Sequence, residues 1–298
     1  MQTAATKVQT FKTYIGGKWQ DAASGKRYQS FNPYTAEPWA EIPECDAVDV
    51  ERAVEAAHTA FTTGPWPNMT QSARGKLLRR IAELAEQHAE YLAQVETRDN
   101  GKLISEMSVQ TKYLVEWYNF FGGLADKITG SVVPIDKPDH FTYTLREPLG
   151  VCAFILPWNS PLLLLAYKLA AALATGNTVV IKPSEFTSAS TLEFCRLVLE
   201  PAGVPPGVVN VITGYGAVVG EPLVTHPKVA KVAFTGGSAT GSRVNELAAK
   251  TFKKVSLELG GKSPNIVFDD AILDDAVNGA VSGIFAASGQ TCIAGENT

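Results

Sequence analysis

The chain has 298 residues, of which 45% are hydrophobic and 19% charged, with a formal net charge of −4. That composition excludes an intrinsically disordered chain and allows one large or two medium globular units. The mild acidity and the absence of any Lys/Arg block exclude nucleic acid as an expected partner.

Residues 1–10 lack an apolar signal core, and the most apolar run, 162–174, is short for a bilayer and carries Lys168. No membrane association is therefore expected. Cys45, Cys152, Cys195 and Cys292 form no C-x-x-C pair, and the four histidines are scattered, so no metal site is expected. A reducing, cytoplasmic setting follows as the default.

After a short β-like start, the first third reads as helical. Asp46 suits the N-cap of a helix over 48–61, with Val50, Ala53, Val54, Ala57 and Phe61 on one stripe. Gly64-Pro65-Trp66-Pro67 ends it. Thr70 can cap the next helix, where Leu77, Leu78, Ile81, Leu84, Ala85 and Leu92 recur at helical spacing, and a third helix is predicted over 103–121. The period then changes, and the β-branched and turn residues of 128–149 predict a projecting hairpin.

From Gly150 onward, short apolar runs at 151–156, 178–182, 208–212, 229–235 and 255–259 alternate with predicted helices at 162–174, 188–199, 217–225 and 239–251. A last helix is expected over 276–287. This alternation predicts a parallel, doubly wound α/β sheet, whose ligands bind beyond the carboxyl ends of the strands. Cys152 in a strand and Cys195 in a helix read as small core residues.

At those ends stand Pro157-Trp158-Asn159-Ser160-Pro161, Lys182-Pro183-Ser184-Glu185, Thr235-Gly236-Gly237-Ser238-Ala239-Thr240-Gly241, Glu258-Leu259-Gly260-Gly261-Lys262 and, further on, Gly289-Gln290-Thr291-Cys292. Each has an ordinary reading when taken alone. Asn159 could close a turn, Lys182 and Glu185 could be a solvated pair, and the glycines could serve only backbone geometry. Five such elements in order at one sheet edge carry more weight than any single one.

Together they resemble the aldehyde dehydrogenase superfamily. The resemblance runs from Tyr14-Ile15-Gly16-Gly17-Lys18-Trp19 to Ala294-Gly295, and its most specific parts are 257–264 and 289–292. It implies a Rossmann-like cofactor-binding unit over 1–125 and 149–260, an oligomerisation hairpin over 126–148, and the start of a catalytic unit over 261–298. The implied activity is oxidation of an aldehyde to a carboxylic acid with NAD, NADP being possible. Cys292 is then the nucleophile, forming a thiohemiacetal and later a thioester. The Asn159 amide and the Cys292 backbone N–H are the implied oxyanion donors. Glu258 is the implied base for the hydrolytic water, a role that suits a carboxylate whose charge is disfavoured by burial.

On the cofactor side the resemblance implies contacts from Trp158, Lys182, Ser184, Glu185, Gly216, Gly236, Gly237, Ser238, Gly241, Glu258, Leu259 and Gly260. A carboxylate at Glu185 would accept from a ribose 2′-hydroxyl and repel a 2′-phosphate, favouring NAD. The 236–241 turn would offer helix N–H groups to a pyrophosphate. Where Gly237 stands the family often has Ser, which removes a hydroxyl contact. The implied partners are a small-molecule aldehyde and further copies of the chain, as dimer or tetramer. Ser160, Thr291 and Ile293 flank the motifs and predict a small to medium, uncharged or aromatic substrate.

Family sequences continue well beyond the nucleophile, whereas this one ends six residues after Cys292, with Glu296-Asn297-Thr298 where Ser-Arg usually follows Ala-Gly. Two expectations follow. Most of the catalytic unit is absent, leaving as the alternative function an inactive remnant that binds nucleotide or another subunit. Glu296 and the Thr298 carboxylate would also stand near the thiol and disfavour its thiolate.

Overall fold

The computed structural model describes residues 8–296, the side chain of Glu296 excepted. The expected lack of a signal core falls partly on residues 1–7, and the expected carboxylates near the thiol fall on Glu296 and Thr298; both lie outside the described residues.

Five strands come first: β1 (Gln9–Thr10), β2 (Thr13–Ile15), β3 (Lys18–Gln20), β4 (Arg27–Asn32) and β5 (Glu37–Pro43). β1, β5 and β4 form a small separate sheet, while β2 and β3 join the main one. The sequence indicated only a β-like start here, because strands of two or three residues are too short to display alternation.

Helix α1 (Ala47–Thr62) begins at Asp46, whose carboxylate accepts from the Val48 N–H at 2.8 Å. Asp49 returns the bond to the Asp46 N–H at 3.2 Å, completing a capping box. Thr70 caps α2 (Gln71–Gln87) through the Ala73 N–H. The apolar repeat through Leu92 suggested one helix, but the chain breaks at His88 and α3 (Ala89–Asn100) starts anew. One residue at φ −106° and ψ 6° barely dephases the stripe, so Leu84, Ala85 and Leu92 all stay buried. α3 closes on Gly101, whose φ of +75° needs a residue without a Cβ.

Helix α4 (Ile104–Leu124) follows, then the antiparallel pair β6 (Val132–Val133) and β7 (Thr142–Tyr143). This is the expected hairpin, with Phe141, Tyr143 and Leu145 exposed on it.

The main sheet is built from β8 (Val151–Ile155), β9 (Thr178–Lys182), β10 (Val209–Val211), β11 (Val229–Thr235) and β12 (Lys254–Glu258). Between them run α5 (Pro161–Ala174), α6 (Ala189–Phe194), α7 (Glu221–Thr225) and α8 (Ser238–Ala249). The five strands lie parallel in the order β12-β11-β8-β9-β10, and β2 then β3 extend the β10 edge antiparallel. Alternate residues feed two cores on opposite faces: Cys152 and Phe154 point into one, Val151, Ala153 and Ile155 into the other. The fold is therefore doubly wound, as expected. Cys195–Leu199 continues α6 as a wide π-type turn, and Gly216–Gly220 precedes α7 in the same way, where a regular helix was predicted.

The strand order reverses at β8, because β9 and β10 are added on one side and β11 and β12 on the other. The crevice between the carboxyl ends of β8 and β11 is thus the favoured ligand position.

The chain ends with β13 (Ser263–Pro264), α9 (Leu273–Phe285) and β14 (Gly295–Glu296), which pairs with β13. No residue of α9 is buried. The helix predicted over 276–287 stops at Phe285, because Ala287 and Ser288 both adopt left-handed φ of 57°.

Candidate active site

Asn159 stands in the loop that leaves β8 at the switch point, just before Pro161 opens α5. Cys292 arrives from the other direction, on the loop after α9. That loop is strained: two non-glycine residues in the left-handed region cost about 1–3 kcal/mol each and persist only where the surroundings hold them. A Cβ on Gly261 would come within 2.8 Å of the Cys292 carbonyl, so the loop of Cys292 rests directly on the chain leaving β12. Glu258 is the last residue of β12.

These three residues line one cavity of about 690 Å³, together with Ser160, Thr291 and Ile293. Cys292 is exposed, while the other three cysteines are buried. Burial pushes the thiols of Cys45 and Cys152 up to about 11 and that of Cys195 higher still, which disfavours their thiolates. Cys292 is the cysteine placed to react with a molecule entering the cavity.

The Asn159 side chain is held by one bond, its Nδ2 donating to the Gln290 carbonyl at 2.8 Å. A primary amide has two N–H donors, so the second stays available for an oxygen in the cavity. Glu258 departs from expectation. The role implied for it suits a carboxylate whose charge burial disfavours, yet Glu258 is exposed, because β12 is the edge strand and its residues alternate between exposed and half-buried.

Lys168 was passed over in the sequence as an interruption of an apolar helix. It lines the same cavity, donating to the Thr235 hydroxyl at 2.7 Å and to the Leu164 carbonyl at 3.4 Å. Desolvation pulls its ammonium down to about 8, opposed by the fields of Glu258 and Cys292. A lone lysine inside an apolar helix that leaves a strand-end loop was the signal available.

A second groove, of about 600 Å³, shares Thr235 with this cavity. It brings together Trp158, Lys182, Ser184, Glu185, Gly216, Gly236 and Gly237. Lys182 and Glu185 are not the solvated pair of the ordinary reading. Lys182 is buried, its Nζ donating to Glu185 at 3.2 Å and to the Pro183 carbonyl at 3.0 Å. Desolvation lowers its affinity for the proton and the Glu185 carboxylate opposes that.

Ser238, Leu259 and Gly260 do not line the groove. Gly241 does not line it either, and a Cβ there would meet the Leu259 side chain at 2.4 Å, so the glycine permits close packing of α8 on the residue that follows β12. Gly236 is similarly closed by the Phe234 ring, at 2.6 Å from an added Cβ. Gly237 instead has open space around it, so a side chain would fit there. The first N–H groups of α8 receive no side-chain cap. Arg243 lines the groove as well, paired with Glu221 at 3.0 Å, and was not singled out in the sequence.

Among the described residues, no group of three or more His, Cys, Asp or Glu could hold a metal ion. No helix among them is long and apolar enough to cross a membrane.

The model of the aldehyde dehydrogenase family matches residues 19–298, nearly the whole chain. The chain belongs to the aldehyde dehydrogenase family. It is 51% identical over 289 residues to (Z)-2-((N-methylformamido)methylene)-5-hydroxybutyrolactone dehydrogenase of Acinetobacter baylyi, covering 97% of this chain and 59% of that protein. Human retinal dehydrogenase 2 is 43% identical, with 99% of this chain and 57% of the relative covered. The NAD+ complex of an aldehyde dehydrogenase from Bacillus cereus superposes with a TM-score of 0.93 at 43% identity, over 96% of this chain and 58% of that one. The chain thus spans less than three fifths of the length of these aldehyde dehydrogenases.

Proposed function

We propose that this chain supplies the cofactor groove and the nucleophile of an enzyme that oxidises aldehydes to carboxylic acids with NAD(P)+. The observation that carries the reading is the convergence of Cys292, Asn159 and Glu258 on one cavity beside the groove at the switch point. The Cys292 thiolate attacks the aldehyde carbon. The carbonyl oxygen gains charge and is met by the second Asn159 N–H and the Cys292 N–H. When bound, the nicotinamide cofactor supplies the hydride acceptor that allows the Cys292 adduct to become a thioester. Glu258 then takes the proton of a water attacking that thioester, and the acid leaves.

The groove suits a dinucleotide by the chemistry of its donors. Uncapped N–H groups of α8 suit a pyrophosphate, and Lys182 with Glu185 suits ribose hydroxyls. The Glu185 charge favours NAD over NADP, and its pairing with Lys182 moderates that preference. The cavity is lined by Leu163, Leu164, Tyr167 and Ile293, which supports a small to medium, uncharged or aromatic aldehyde as substrate. A cytoplasmic setting accompanies this reading.

A second reading is favoured by the exposed apolar side chains of the hairpin and of α9, including Phe141, Leu145, Leu273 and Phe285. In it, 1–125 with 149–260 is a nucleotide-binding unit, 126–148 an oligomerisation hairpin, and 261–298 the first part of a catalytic unit that acts only with further protein, such as another copy of the chain. NADH production from an aldehyde panel, measured beside calorimetry with NAD+ and NADP+, separates the two. Turnover abolished by Cys292→Ala supports the first, while nucleotide binding without turnover supports the second.

A further inference from the structure

The geometry points to Asn100 as a positioning residue that ties the loop of Asn159 to the loop of Cys292, an inference that rests on the roles proposed for those two residues. Asn100 is the last residue of α3 and is 5% exposed. Its Nδ2 donates to the backbone carbonyl of Asn159 at 3.3 Å, and its own backbone carbonyl accepts from Gln290 Nε2 at 3.3 Å. The Gln290 carbonyl in turn accepts from Asn159 Nδ2 at 2.8 Å. The three bonds form a closed ring through the end of α3, the oxyanion loop and the residue two before the nucleophile. Nδ2 also lies 4.0 Å from the Met107 sulfur, and Oδ1 accepts from the Lys102 N–H at 3.0 Å, which fixes the rotamer.

The same stretch, 96–102, also grips the end of the oxyanion loop and the first turn of α5. Glu96 accepts from the Leu162 N–H at 2.9 Å, and the buried Lys102 donates to the Ser160 hydroxyl at 2.7 Å. Burial pushes the Glu96 carboxyl up and the Lys102 ammonium down. Neither contact reaches the nucleophile loop. Asn100 touches both loops, and the left-handed Ala287 and Ser288 show why a tether is needed, since that conformation does not support itself. An oxyanion donor pair split between two loops works only if the loops keep a common register, and a shift of about 1 Å costs about 10²-fold in rate.

The test uses Asn100→Asp, which keeps the shape and Oδ1 but loses the N–H donors, and Gln290→Met, which loses the Nε2 donor but keeps the backbone carbonyl. Hydrogen exchange is followed by mass spectrometry in residues 157–164, in 286–294 and in α2. Each variant is expected to accelerate exchange in both loops by about 10-fold while α2 stays within about 2-fold, and the double variant to be no worse than the more affected single one. Where the chain turns over aldehyde, kcat falls by about 10²-fold with KM within about 3-fold. Acceleration in one loop only, in neither, or throughout α2 overturns the inference, as do additive effects or a kcat unchanged in a chain that turns over. Should Asn100→Asp fail to fold, the paired response of Gln290→Met decides. Absence of turnover in the unaltered chain overturns the catalytic reading instead, and the exchange data then decide the tether by themselves.

Discussion

β9 and β12 are strands of the same sheet and of the same length, five residues each, yet β9 is buried throughout and β12 alternates between exposed and half-buried. β9 lies between β8 and β10 with helices on both faces, whereas β12 is an edge and the chain beyond it adds α9 with no buried residue. One region is a finished core. The other presents apolar side chains, among them Phe268, Leu273 and Phe285, to the outside. The candidate site straddles this division: Asn159 and the groove stand on the finished side, while Glu258 and Cys292 stand on the open one. Chemistry and stability are therefore expected to respond to different residues.

The sharpest separation is expected from Cys292→Ala. It should abolish aldehyde oxidation and leave NAD+ affinity within about 3-fold, because the groove is built from the finished side; steady-state rates beside calorimetry measure both. Glu258→Gln should slow thioester hydrolysis by about 10²–10⁴-fold without preventing acylation. A pre-steady-state burst of NADH followed by a slow phase is the expected trace, and a normal second phase would remove Glu258 from that role.

Stability should show the reverse dependence. Leu165 is completely buried, and Leu165→Ala should cost about 2–5 kcal/mol. Leu273 is 73% exposed, and Leu273→Ala should change stability by less than about 0.5 kcal/mol. Equal urea-midpoint shifts for the two would break the comparison. Within the groove, Glu185→Ser should narrow the preference for NAD+ over NADP+ by about 10-fold, since a like charge near the 2′-phosphate is removed; competitive titrations read this directly.

A separate effect concerns pH. Burial pushes the Asp99 carboxyl from 3.8 to about 7, against the bonds it accepts from Ser30 and Ala189. The folded state then holds a proton that the unfolded chain releases, so the contribution of Asp99 to stability is full below about pH 4 and is lost as pH rises through about 7. Asp99→Asn should flatten that decline, as measured by urea midpoints at several pH values across this window.

Much of the finished side was legible in the residues. The Asp46 cap, the stripe of α1, the alternation of strands with helices after Gly150 and the glycine turn into α8 all follow from local rules that a single segment obeys. The motifs at the strand ends were legible too, because parallel winding brings successive strand ends to one edge wherever it occurs. The break at His88, the π-type turns before α7 and after α6, and the brief strands β1 to β3 were not, since each departs from a period by only a residue or two.

What the sequence by itself determined was the parallel α/β frame and which side chains stand at the ends of its strands, because periodicity, capping and side-chain chemistry are properties of short stretches. Only the tertiary structure decided that Lys182 is buried against Glu185, that Lys168 faces the cavity of Cys292, that Glu258 lies open on an edge strand, and that Asn100 joins two loops whose residues Asn159 and Gln290 are 131 positions apart. Burial and long-range hydrogen bonds depend on which surfaces meet, and that is set by the packing of the whole chain rather than by any one of its segments.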